Sequence, residues 1–155
     1  MFRLKLANVL KFGCLLLATV GVASWVPASY ARDTVQSFSV EEVLNSADGK
    51  AKLGDSIKYA FGTTSLGPVA KNFGEFRTNK KTNAFGKSDE KACKWVFLSA
   101  MITLRDRAIA EGGNAVINIR SNYKDNVTSS ETTFQCGAGA IMAGVALIGD
   151  VVTLD

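Results

Sequence analysis

Residues 88–124 read SDEKACKWVFLSAMITLRDRAIAEGGNAVINIRSNYK, and the apolar period changes at Gly112-Gly113. Before the glycines, Phe97, Leu98, Met101, Ile102, Leu104, Ala108 and Ile109 share one half of a helical wheel. Ser99, Thr103, Asp106, Arg107 and Ala110 take most of the other half. Ser88 suits an N-cap, and Asp89 and Glu90 suit the positive end of the helix dipole. The glycine pair ends the helix, one of the two supplying a left-handed residue. After it, residues 115–124 alternate as a strand. Ala115, Ile117, Ile119 and Tyr123 face one way, and Asn118, Arg120, Asn122 and Lys124 face the other. The first set packs under the helix and the second meets water.

Working outward, Glu131–Cys136 also alternates, with Thr132, Phe134 and Cys136 on one face, and residues 124–130 read as a turn. Gly137–Gly149 carries no charge and is too short to span a bilayer. It reads as a buried strand bent at a glycine, and a buried helix is the competing reading. Upstream, Phe73–Thr78 and Ser56–Gly62 alternate as strands around a loop at 63–72, and residues 79–87 form a polar, mobile segment. Ser39-Val40-Glu41-Glu42 matches a capping box, which starts a short N-terminal helix ending near Asp48-Gly49. Residues 32–38 are a short lead-in. No internal repeat is visible.

The first 31 residues decide the compartment. Arg3, Lys5 and Lys11 precede an uncharged apolar run at 12–26, and Ala28-Ser29-Tyr30-Ala31 places small residues at −3 and −1 of a cut after Ala31. This is the layout of a cleaved signal peptide, and it predicts a periplasmic protein without a stable membrane anchor after cleavage. Cys14 precedes most of the apolar run, so it does not serve as a lipidated cysteine. Residues 32–155 then form one domain with a modest core. Three of the 18 Lys and Arg leave with the signal and none of the 14 acids do, so the remaining net charge is +1. The longest basic run left is Lys80-Lys81, which excludes the electrostatic footprint of a nucleic-acid binder.

Export leaves two cysteines, Cys93 and Cys136, and the chain has no histidine. In an oxidising compartment an even pair reads as a disulfide, and a redox or metal-binding pair is the alternative. The absence of histidine removes Ser-His-Asp, Cys-His and histidine-metal chemistry. Residues 62–67 have the glycine spacing of a phosphate loop but continue Pro68-Val69 where Lys and Ser/Thr are needed, so no nucleotide is expected. No acid pair stands out as a catalytic dyad. Asn126-Val127-Thr128 matches a glycosylation sequon and carries little weight. Arg105 falls at the centre of the apolar arc drawn above. Its stem packs on the core with the head reaching an edge, or its guanidinium binds an anion or partner. Asn118, Arg120, Asn122 and Lys124 form a solvated face or a contact surface.

Leu104-Arg105, Ala108 and Gly112-Gly113-Asn114-Ala115-Val116-Ile117 resemble the helix–glycine–strand core of the YbjQ-like and Rcs-sensor-lipoprotein-like superfamily. Residues 73–85 and 129–147 are similar to blocks shared by small exported bacterial proteins of unknown function, often labelled excinuclease subunits. The phosphate loop and zinc cysteines that label requires are missing. The resemblance implies an α+β fold with one long helix packed on a mostly antiparallel sheet. The YbjQ-like family carries a heavy-metal-binding name and tends to form rings, which raises a homo-oligomer. With no histidine and a single cysteine pair, metal binding does not carry over. The Rcs sensor is lipidated and holds two disulfides, and this chain departs from both features. The expectation is a non-catalytic envelope protein, without cofactor or metal, acting through contact with an envelope protein partner. The rival is a small-ligand, anion or metal binder using Arg105, Arg120 or Lys124.

Overall fold

The long helix α3 spans Asp89–Glu111. Ser88 caps it by accepting the Lys91 N–H at 3.2 Å. Its other end closes where Gly112 takes φ 78° and the Gly113 N–H reaches the Ala108 carbonyl at 2.8 Å. The structure is a computed structural model that describes residues 32–155. The expected signal segment and its cleavage point after Ala31 lie outside the described residues. The other elements are β1 (Asp33–Ser39), α1 (Val40–Leu44), α2 (Ala47–Leu53), β2 (Lys58–Phe61), β3 (Val69–Asn83), β4 (Ala115–Tyr123), β5 (Asn126–Thr128), β6 (Thr133–Gly139) and β7 (Met142–Leu154).

The fold is α+β, with the helices packed on a curled, mixed sheet. β7 is its spine. β3 pairs with β7 along almost its whole length, from Asn83↔Met142 to Val69↔Leu154. On the other edge β7 changes partner, taking β6 at residues 143–144 and β4 at residues 147–152. β1 extends the β6 side in antiparallel register, and β5 forms a hairpin with β4. β2 runs parallel to β4, so the sheet is not antiparallel throughout.

The uncharged run at 137–149 is strand, as expected, and not helix. It is two strands rather than one bent strand, broken at Ala140 and Ile141. β7 is buried on both faces, which explains the absence of charge. On one face Ala143, Val145, Leu147 and Val151 join the main core against α3. On the other, Ile148 is 1 % exposed, with Arg77 and Arg120 as its direct cross-strand neighbours.

The buried face of α3 is rotated from the expected one. Cys93, Val96, Phe97, Ala100, Met101, Leu104 and Ala108 are buried, while Ile109 is exposed and Ile102 only half-buried. This arc centres on Phe97, leaving Arg105 about 80° away on the flank. α1 and α2 lie along that flank. They replace the single short helix expected there, because Ser46 caps a second helix by accepting the Gly49 N–H at 3.0 Å. Gly49 does not end a helix. A Cβ on it would collide with the Val43 and Leu44 carbonyls, so it is the close-contact point between α1 and α2.

Four further expectations are corrected. Residues 33–39 are a strand, not a lead-in, and residues 79–83 continue β3 rather than forming a mobile segment. Both are edge strands with polar residues on both faces, so alternation is weak in them. Residues 124–130 contain a hairpin, since Lys124 and Asp125 both take positive φ, as a two-residue turn requires. β4 does not keep one face throughout. Asn118 sits at φ 51° in a bulge that shifts register against both β2 and β7. Val116 and Ile119 therefore share the helix-side core, while Ala115 and Ile117 join Val152 and Leu154 on the other side.

The corner after α3 is expected to reject side chains at both glycines. A Cβ on Gly113 would lie 2.8 Å from Val151 Cγ1 and 2.9 Å from the Val152 carbonyl, whereas Gly112 has open space but a left-handed backbone. Gly113→Ala and Gly112→Val should each cost more than about 1 kcal/mol, read as a loss of several degrees in Tm by calorimetry. Unchanged melting of both would remove this account of the corner.

Candidate functional site

The residues singled out from sequence do not converge. Cys93 and Cys136 are bonded, with Cα atoms 5.8 Å apart, and both are fully buried between α3 and β6. Arg105 lies on the flank of α3. Its Nη1 donates to the Lys52 carbonyl at the end of α2, and Nε and Nη2 donate to Asp106 Oδ1 at 2.9 and 2.7 Å. Arg120 is on the sheet face away from α3, with Nη2 on Glu75 Oε2 at 2.8 Å and Nε on the Asn118 carbonyl at 3.2 Å. Glu75 Oε1 also accepts from Arg77 at 3.1 Å, so one carboxylate bridges two guanidiniums. Lys124, in the β4–β5 turn, pairs with Asp33, and that partner pushes its pKa up from the usual lysine value. Three cations thus occupy three separate places, each with an acceptor already in hand.

A groove lies elsewhere. It runs between α1–α2, the first turns of α3 and the end of β3, and encloses about 750 Å³. Val43, Ala92 and Leu98 form an apolar floor, and Trp95 stands on its wall, 52 % exposed. The Lys52 ammonium sits 3.9 Å from the Trp95 ring centroid and holds the indole by a cation–π contact. Lys94 spans the groove from α3, donating to Glu42 on α1 and to Glu90 one turn earlier on its own helix. Those hydrogen bonds, Glu42's first and Glu90's second, raise its pKa above the ordinary lysine value. Glu42 is the residue expected to complete a capping box. Only half of the box forms, with the Glu42 N–H on Ser39 Oγ at 3.2 Å, and its carboxylate is directed to Lys94 instead.

Chemically the groove offers an aromatic wall, an apolar floor and a rim of mixed charge. That suits a side chain or peptide segment that is apolar with polar flanks. Among the described residues no group of three or more Cys, Asp or Glu side chains is placed to hold a metal ion. Sequence reasoning passed over Trp95 as a site residue. The signal was present, because a tryptophan about 160° from Phe97 on the wheel faces away from the core. No protein-family model, no curated protein and no solved structure matches the chain.

Beside Arg105, Tyr59 of β2 places its hydroxyl out of solvent with no hydrogen-bond partner. Burial pushes its pKa up to about 12, with Arg105 opposing and Asp106 adding to the rise. A folded-state pKa above the unfolded value means that the folded form holds its proton more tightly. Stability is then full below about pH 10 and falls as pH rises toward 12. Tyr59→Phe removes an unsatisfied hydroxyl, so it should leave stability at pH 7 unchanged or higher. It should also reduce the loss between pH 10 and 12 in urea titrations. A variant weaker than the parent at pH 7, with an unaltered alkaline loss, would contradict this.

Proposed function

We propose that this chain is an exported, non-catalytic interaction module of the bacterial envelope, with the Trp95 groove as its contact surface. The observation that carries the reading is Trp95 itself, an exposed tryptophan held upright by Lys52 on the wall of an apolar-floored groove. Exposed aromatics of this kind anchor protein contacts because they bury a large area at small entropic cost. The disulfide is compatible with an oxidising, exported location. Among the described residues no helix is long and apolar enough to cross a membrane. The resemblance to a contact-dependent envelope sensor supports the same reading. An anion or small-ligand site at Arg105, Arg120 or Lys124 has less support, since each of these heads is already engaged by a carboxylate.

The test is a photo-cross-linking amino acid placed at Trp95 in the exported protein, compared with the same residue at the exposed Val127 on β5. Illumination of cells should yield a discrete adduct from position 95 and none from position 127. Absence of any adduct at 95, or the same adducts at both positions, would sink the reading.

A further inference from the structure

We propose that the tip formed by the β3–α3 turn and the β6–β7 turn docks reversibly on the surface of an anionic lipid bilayer. The two turns are joined where β3 ends on the start of β7. Asn83 pairs with Met142 and the Ala84 N–H donates to the Ile141 carbonyl at 2.9 Å. Three large apolar side chains project there, Phe85 at 74 %, Ile141 at 62 % and Met142 at 45 % exposure. Phe85 is held out by its turn. Asn83 Oδ1 accepts the Phe85 N–H at 2.8 Å, the Lys87 N–H returns to the Ala84 carbonyl at 3.0 Å, and Gly86 takes the left-handed φ of 69° that closes the loop.

Three lysines on β3 and its turn adjoin this apolar point. Lys81, opposite Gly144, adjoins Met142 on the same sheet face. Lys80 precedes it, and Lys87 anchors its ammonium on the Asn83 carbonyl at 2.8 Å. None of the three forms an ion pair among the described residues. Of the neighbouring acids, Asp89 is held by a two-pronged Arg32 at 2.7 and 2.8 Å, Asp33 by Lys124, and Glu90 by Lys94, which it shares with Glu42. The tip is therefore cationic in a domain whose charges otherwise almost cancel. Apolar side chains entering the interface, with lysine stems reaching lipid phosphates around them, match an anionic bilayer. The shape favours lipid over protein. A convex point of three side chains offers little of the roughly 800 Å² per partner that a stable protein contact buries. The groove of the preceding section begins at Thr82, Asn83 and Lys87, so docking would hold it beside the membrane, but the inference does not depend on that groove having a partner.

The experiment is co-sedimentation of the 32–155 chain with vesicles of phosphatidylglycerol and phosphatidylethanolamine, against vesicles of phosphatidylcholine. Binding should be strong to the anionic vesicles only, and should fall as salt is raised. Phe85→Ser with Ile141→Ser should lower it at least about fivefold without changing Tm, because both side chains are already in water. Lys81→Gln with Lys87→Gln should weaken it and flatten its salt dependence. In Phe85→Trp, the added emission should shift to the blue on anionic vesicles. A wild-type chain that stays in the supernatant overturns the proposal, as does a double-serine variant that binds like wild type. Failure to bind vesicles together with a protein cross-link from position 85 would assign the tip to a protein partner and overturn it equally.

Discussion

Two rungs lock helix α3 onto strand β6, and the rest of the structure is arranged around them. Cys93 bonds to Cys136, and Phe97 stacks on Phe134 with ring centroids 3.9 Å apart. Four residues of helix rise about 6 Å, and two residues of strand about 6.6 Å, so both rungs form without distortion when the elements run in opposite directions. The aromatic rung extends both ways. Phe38 of β1 packs on Phe134 at 5.9 Å, and Phe61 of β2 meets Phe97 at 6.1 Å. A row of four phenylalanines thus ties together four elements drawn from most of the chain. In a domain of this size the core has little surplus, and a covalent tie beside its aromatic centre carries much of the margin.

That lock decides which residues are left over for function. With Phe97 fixed at the centre of the buried arc, Trp95 must point away from the sheet and Arg105 must lie on the flank. α1 and α2 fill that flank, held through Glu42–Lys94 and Lys52–Arg105. The groove is the gap left between them and the end of β3. The outer sheet face follows a different rule. There Arg77 and Arg120 flank Ile148 in register, and Glu75 ties their heads together. That pairing explains why Arg120 has no free head to offer a ligand.

The parts legible in the sequence are those whose causes are local. Ser88 and Gly112 bound α3 because caps act within one turn. Cys93 and Cys136 were legible as a pair because they are the only two cysteines after residue 31. The misreadings share a different origin. β1 and most of β3 are exposed edge strands whose pairing, not their pattern, makes them strands. Gly49 looked like a stop signal, but it is small because a neighbouring helix passes close by. The bulge at Asn118 exchanges the faces of β4 partway along, and alternation counted across it placed Ile117 on the wrong side. Arg105 was misplaced because Ile102 and Ile109 were weighed as central core, whereas Ile102 lies at its margin and Ile109 is exposed. The pairing of Arg120 with Glu75 joins residues 45 apart, a distance over which no sequence period speaks.

The central claim is that the α3–β6 lock supplies a large share of the stability. Removing the covalent rung while leaving the aromatic one tests it most directly, with Cys93→Ala and Cys136→Ala combined in the 32–155 chain. The bond spans 43 positions, and closing a loop of that size is worth about 4 kcal/mol. Thermal unfolding of the double variant should therefore begin on the order of 15 °C below the parent. Hydrogen exchange should show β6 and the first half of α3 losing protection before β3 and β7. A double variant that melts with the parent, and protects β6 as well as the parent does, would contradict the account.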